Sequence, residues 1–149
     1  MKIKVIDGNH PKFKKKADKI LEIYNQESSV PFDESLEVTA PDSLRLVYIK
    51  GKEGGVIIDK WHDNNNMLMF NSIMYAAFPK ENRQNGHLRA CIQRAGFPIE
   101  TVQLNGGDNL AVWKKLGFTK GGTLGFCTML RSRDFEGVSW GKWVPSIQQ

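Results

Sequence analysis

Two short runs hold the residues best suited to chemistry. The first is Arg83-Gln84-Asn85-Gly86-His87, leading into the run Leu88-Arg89-Ala90-Cys91-Ile92, which reads as a helix. The first backbone N–H groups of a helix lack intrahelical partners and converge on an anion, so a Gly-containing loop at that point suits a phosphate. Arg83 adds charge-assisted hydrogen bonds. The second run is Trp113-Lys114-Lys115-Leu116-Gly117-Phe118, a helix end stopped by glycine. Between them lies the apolar run 99–104, which reads as a strand. A phosphate loop on one side of a strand and a helix ending in Gly-Phe on the other bracket a setting suited to a phosphate-bearing ligand.

Other titratable groups are few. His62 and Asp63 stand in a turn before the longest apolar run, and His87 lies on the phosphate loop itself. His62 is a candidate base, with Asp63 as its orienting partner if the turn folds inward. His87 suits contact with phosphate or solvent. Cys91 and Cys127 fall in apolar elements and lack zinc-site spacing, so they read as small core hydrophobes. Lys12, Lys14, Lys15 and Lys16 crowd the first turn of a helix, where positive charge opposes the macrodipole. Asp33, Glu34, Glu37 and Asp42 form an acidic stretch with no basic residue, suited to a cationic amine or simply balancing the lysines.

The chain has 149 residues, 40% of them hydrophobic and 25% charged. That suits one domain over 1–149 with its own core. The net charge of +5 favours anionic partners such as phosphate cofactors, with nucleic acid possible but not indicated. The N-terminus lacks the apolar core of a signal peptide, and no run has the length of a membrane span. A cytoplasmic location and no membrane partner are the expectation.

The elements that must position these residues follow from periodicity. Residues 2–6 alternate as an edge strand. Phe13, Ala17, Ile20, Leu21 and Tyr24 recur at helical spacing up to about Glu27. Residues 44–50 and 56–61 read as a hairpin, and 67–78 as a long central strand interrupted only by Asn71 and Ser72. A helix from 88 is closed by Gly96, the strand 99–104 follows, then a helix lined by Leu110, Trp113 and Leu116, then a last strand over 123–130. Residues 131–149, with Trp140 and Trp143, read as an irregular tail. The order β-α-β-β-β-α-β-α-β predicts an α/β (α+β) fold: a mixed, mostly antiparallel sheet with helices on both faces.

In the order and spacing of its two motifs the chain resembles the Gcn5-related N-acetyltransferases, the GNAT superfamily. The family loop Arg/Gln-x-x-Gly-x-Gly/Ala corresponds to Arg83-Gln84-Asn85-Gly86-His87-Leu88, and its aromatic-x-Lys-x-Gly-Phe run to residues 113–118. The likeness covers roughly residues 1 to 130 and is firmest over 67–118. It implies the GNAT fold, in which the fourth and fifth strands splay apart around the pantetheine arm. It also implies acetyl-CoA as acyl donor and an amine as acceptor. Tyr75, Ala76 and Ala77 would lie along the arm, Arg83, Gln84, Asn85, Gly86 and His87 around the pyrophosphate, and Asn109 and Trp113 beside the cofactor.

Four departures bear on mechanism. Leu88 replaces the small residue that closes the loop, and the segment from Pro79 to Arg83 is one residue longer than the family's Pro-x-x-Arg. Trp113 stands where a tyrosine often protonates the leaving thiolate, and an indole cannot do so at neutral pH. The central strand offers Asn71 and Ser72 where many members carry a glutamate base. His62, Asn71 and Ser72 are therefore the catalytic candidates. Transfer by direct attack of an amine remains feasible, because positioning alone is worth about 7–11 kcal/mol at best. The alternatives are a catalytically degenerate binding or assembly protein of the same fold, with Trp140 and Trp143 as a docking strip, and a nucleic-acid-associated module. The sequence leaves oligomeric state open.

Overall fold

The computed structural model describes residues 1–27, 41–104, 110–124 and 127–136. The elements are β1 (Ile3–Asp7), α1 (Phe13–Glu27), β2 (Leu44–Ile49), β3 (Gly55–His62), β4 (Leu68–Ala77), α2 (His87–Gln93), β5 (Thr101–Gln103), α3 (Leu110–Lys115), β6 (Phe118–Leu124) and β7 (Cys127–Ser132). Single 3-10 turns occupy Pro41–Ser43 and Lys80–Asn82. The strands form one mixed sheet in the order β1-β2-β3-β4-β5-β7-β6. Every neighbouring pair is antiparallel except β4 and β5, which run parallel.

Adjacent residues of β3 point to opposite faces and so divide the core. Ile57 packs with Phe13, Ala17, Ile20 and Leu21 of α1. Ile58 joins Cys91 of α2 and Trp113 of α3, together with Val47, Ile73 and Val102. Each fully buried aliphatic or aromatic side chain of this kind contributes about 1.5–3 kcal/mol. A third cluster, Phe70, Leu124 and Met129, closes the end of the sheet remote from α1, with Trp61 stacked on Phe70 at 5.3 Å. Cys91 sits fully inside, and burial pushes its thiol up to about 12, as a core hydrophobe requires. Two of the crowded lysines have partners within the chain: Lys14 pairs with Asp18 at 3.0 Å, and Lys16 lies over the Tyr48 ring at 3.9 Å.

The C-terminal part differs from the sequence expectation of one last strand over 123–130. It is a hairpin of two strands, β6 and β7. Lys120, Gly121 and Gly122 dilute the apolar signal of β6, which can tolerate them because it is the edge strand beyond β7. Arg131 and Ser132, read as the start of an irregular tail, pair with Thr101 and Phe118 in the sheet. Trp140, Trp143 and most of the acidic stretch lie outside the described residues; Asp42 accepts a 2.6 Å hydrogen bond from Asn9 Nδ2.

One irregularity sets the shape of the centre. Ile57 pairs with Tyr75 and Ile58 with Ile73, which leaves Met74 as an extra residue, a bulge in β4. Parallel pairing with β5 involves only Ser72 with Thr101 and Ile73 with Val102, ending at the residue before the bulge. Residues 75–77 continue alongside β3, and among the described residues no strand pairs with their other side. Below the bulge, Asn71 clamps the two strands. Its Nδ2 donates to Pro98 O at 2.8 Å, its N–H donates to Glu100 Oε1 at 3.1 Å, and its carbonyl accepts from Glu100 N–H at 3.1 Å.

The far end of β4 is seated on Gly54. Its φ is +90°, and a Cβ there would meet Ala77 O at 2.5 Å and Phe78 Cα at 2.8 Å. Gly54→Ala should cost about 2–3 kcal/mol, from backbone strain and a clash that backbone must absorb. A lowered urea midpoint with unchanged slope is the expected reading.

Candidate functional site

A cleft of about 550 Å³ lies at the end of β4, beyond its last pairing with β5. Ala76 and Ala77 of β4 form its floor, and their small side chains leave the backbone approachable. Ile23 and Tyr24 enter from α1 on one face of the sheet, and Trp113 and Leu116 from α3 on the other. The cleft therefore passes through the sheet plane. Its size falls in the range of small-molecule sites.

The loop after β4 forms the mouth. Gln84 and Gly86 both take left-handed backbone, with φ of 61° and 77°. Gly86 caps α2 without any side-chain hydrogen bond to the first turn, which holds no acidic residue. The first-turn amides thus have no side-chain cap. Arg83 lines the cleft, and its Nε donates to Phe78 O at 2.8 Å, fixing the plane of its guanidinium. Arg89 Nη2 reaches Lys115 O at 3.4 Å, and both residues line the cleft, adding positive charge between α2 and α3. His87 is buried edge-on to Phe78, at 6.0 Å between ring centres, and its Nδ1 has no hydrogen-bond partner. Leu88 lines the cleft while packing against the α2 side of the core.

Of the residues singled out from sequence, Ala76, Ala77, Arg83, Gln84, Gly86, His87 and Trp113 meet on this one cleft. Tyr75 does not line it; its ring packs at 5.2 Å against Tyr24 on the α1 face. The bulge at Met74 turns the side chain that way. Asn85 is exposed, with Nδ2 at 3.5 Å from Glu81 O. Asn109 lies outside the described residues. Trp113 is buried against Phe118 at 6.2 Å, offering the cleft an apolar wall.

The three catalytic candidates are placed apart from the cleft lining. Asn71 is committed to the strand clamp, although its Oδ1 has no partner. Ser72 is fully buried, with an unpartnered Oγ. His62 ends β3, beyond a register shift at Trp61. Asp63 does not orient it, because Asp63 Oδ1 accepts from the N–H groups of Asn65 and Met67 and so holds the turn.

A further group was missed in the sequence reading. Asp59 sits in the middle of β3, directly across from Ser72. It is half-buried, and burial raises its carboxyl from the ordinary 3.8 to about 6, against the pull of nearby His62 and Gln103. The sequence carries no signal for it, because an aspartate after Val56-Ile57-Ile58 looks like an ordinary polar position until the register gives its partner.

No protein-family model and no curated protein matches the sequence. Among solved structures, the crystal structure of PH1933 from Pyrococcus horikoshii OT3 is similar with a TM-score of 0.50 and 19% identity, over 90% of this chain and 100% of that one. That likeness is one of fold. The NatC complex bound to Gag peptide and CoA shows a looser likeness, with a TM-score of 0.42 and 10% identity over 88% of this chain and 96% of that one.

The raised Asp59 carboxyl has a consequence for stability. A carboxyl whose folded value exceeds 3.8 favours the fold fully below that pH, and the benefit is lost as pH rises through about 6. Two units correspond to about 3 kcal/mol, which partial exposure reduces to about 1 kcal/mol. Asp59→Asn should therefore be more stable than the parent by about 1 kcal/mol near pH 8, with no gain near pH 4. Urea unfolding at the two pH values checks it.

Proposed function

We propose that the chain binds acyl-CoA in the cleft at the end of β4 and transfers an acetyl group to a primary amine by direct attack. The observation that carries this reading is the convergence of both sequence motifs on one cleft, at the point where two parallel strands part. The residues present fit the group. A left-handed loop and Arg83 suit a pyrophosphate, and the backbone at Ala76 and Ala77, with its small side chains, suits an amide-bearing arm that needs backbone hydrogen bonds. Ala76, Ala77, Trp113 and Leu116 supply an apolar channel for it. When bound, the thioester would supply an activated acyl carbon; the chain's part is to orient it and exclude water.

A second reading is a non-catalytic CoA-binding member of the same fold. It is favoured by Trp113, which has no proton to give a departing thiolate. The nucleic-acid reading has less support, since Lys14 and Lys16 are already partnered within the chain.

Calorimetry with CoA is the test. The wild type should bind one equivalent, and Arg83→Ala should weaken binding about tenfold, the value of one charge-assisted hydrogen bond. No heat at millimolar CoA would contradict both readings. Thiol release from acetyl-CoA in the presence of primary amines then separates the enzyme from the scaffold.

A further inference from the structure

The cleft explains how an acyl donor is held but leaves open what receives and deprotonates the acceptor. Three polar side chains beside the last pairing of β4 with β5, outside the cleft lining itself, have no other evident task. Strand alternation places Asp59, Ser72 and Gln103 on the α1-facing side, opposite Ile58, Ile73 and Val102. Asp59 and Ser72 are a cross-strand pair, one position from the last residues joining β4 to β5. Gln103 is the next residue of β5 beyond that pairing, so it stands at the point of parting. Its amide is close enough to favour the Asp59 carboxylate, yet Nε2 completes no hydrogen bond. Ser72 Oγ is likewise buried and unpartnered. Two orphaned polar atoms beside a half-buried carboxyl are what a site lacking its ligand looks like, because buried polar groups are normally satisfied. The charged and titratable groups acting on Asp59 are His62 from its own strand and Cys127 from β7, whose thiol Asp59 helps to raise.

We propose that Asp59 is the group that receives the ammonium of the acceptor and takes its proton, with Ser72 and Gln103 completing the amine's hydrogen bonds. This rests on the acyl-CoA reading of the cleft. The donor's acyl carbon would reach the parting of β4 and β5 through the sheet, and the amine would meet it from the α1 face. The Asp59 carboxylate accepts one proton from the ammonium. The freed nitrogen pair forms the N–C bond to the thioester carbonyl, the C–S bond breaks with its electrons going to sulfur, and the second nitrogen proton passes to the thiolate through water. Asp59 then releases its proton to solvent. The substrate class is a small or unhindered primary alkylamine.

The test uses n-butylamine as probe, titrated into the full chain with and without CoA and followed by amide chemical shifts. The wild type should show shifts around Asp59, Ser72 and Gln103, and Asp59→Asn should bind the amine about tenfold more weakly with an unchanged calorimetric affinity for CoA. Equal amine affinity in the two proteins, or none in either, overturns the assignment. Failure of the wild type to bind CoA counts instead against the cofactor reading, since the amine titration is judged without it. With acetyl-CoA present, thiol release should rise through an ionisation near 6, and the variant should lose that limb and about a hundredfold in rate. A variant that keeps both overturns the proton-acceptor role.

Discussion

The bulge at Met74 is the constraint on which the rest of the centre depends. One extra residue in β4 ends its pairing with β5 after Ile73 and Val102. In a regular sheet the two strands would continue together, their edges would satisfy one another, and no cleft would exist. Beyond the bulge the end of β4 keeps β3 on one side, and among the described residues no strand pairs with its other side. The parting is held from below by Asn71, which bridges to Pro98 and Glu100, and from above by the close seat of Ala77 on Gly54.

That geometry brings together groups that are costly to keep in an unliganded fold. The first turn of α2 lacks a side-chain cap, His87 Nδ1 and Ser72 Oγ are buried without partners, and Asp59 is half-buried with its carboxyl raised by burial. Each is a small destabilisation that the three apolar clusters around it must absorb. Their concentration along one line, from the loop mouth through the sheet to β3, is difficult to account for as packing alone. A ligand with an anionic head, an amide-bearing arm and a reactive end would relieve most of them together.

Much of this was legible in the chain. The helical spacing of Phe13, Ala17, Ile20 and Leu21 foretold α1 and the face it buries, and the Arg83-to-His87 run foretold the loop at the mouth. The parts that were not legible have physical reasons. A bulge has no periodicity signature, since Met74 among Ile73 and Tyr75 looks like any strand residue, and it alone decides that Tyr75 faces Tyr24 rather than the cleft. Strand β6 was hidden by its glycines. Asn71 and Ser72 drew attention as the polar breaks in an apolar strand, but the role of a polar residue in a sheet depends on its cross-strand partner. Only the register pairing Ser72 with Asp59 brings that carboxyl into view.

The central proposal is that the end of β4, at Ala76 and Ala77, receives a CoA arm, and amide hydrogen exchange tests it most directly. Without ligand, the amides of Ala76 and Ala77 should include a fast-exchanging one, whereas those of Ser72 and Ile73, inside the paired sheet, stay slow. Adding CoA should slow the fast set and leave the slow set unchanged. Uniformly slow exchange along β4 without ligand, or fast exchange that CoA does not alter, would contradict the account.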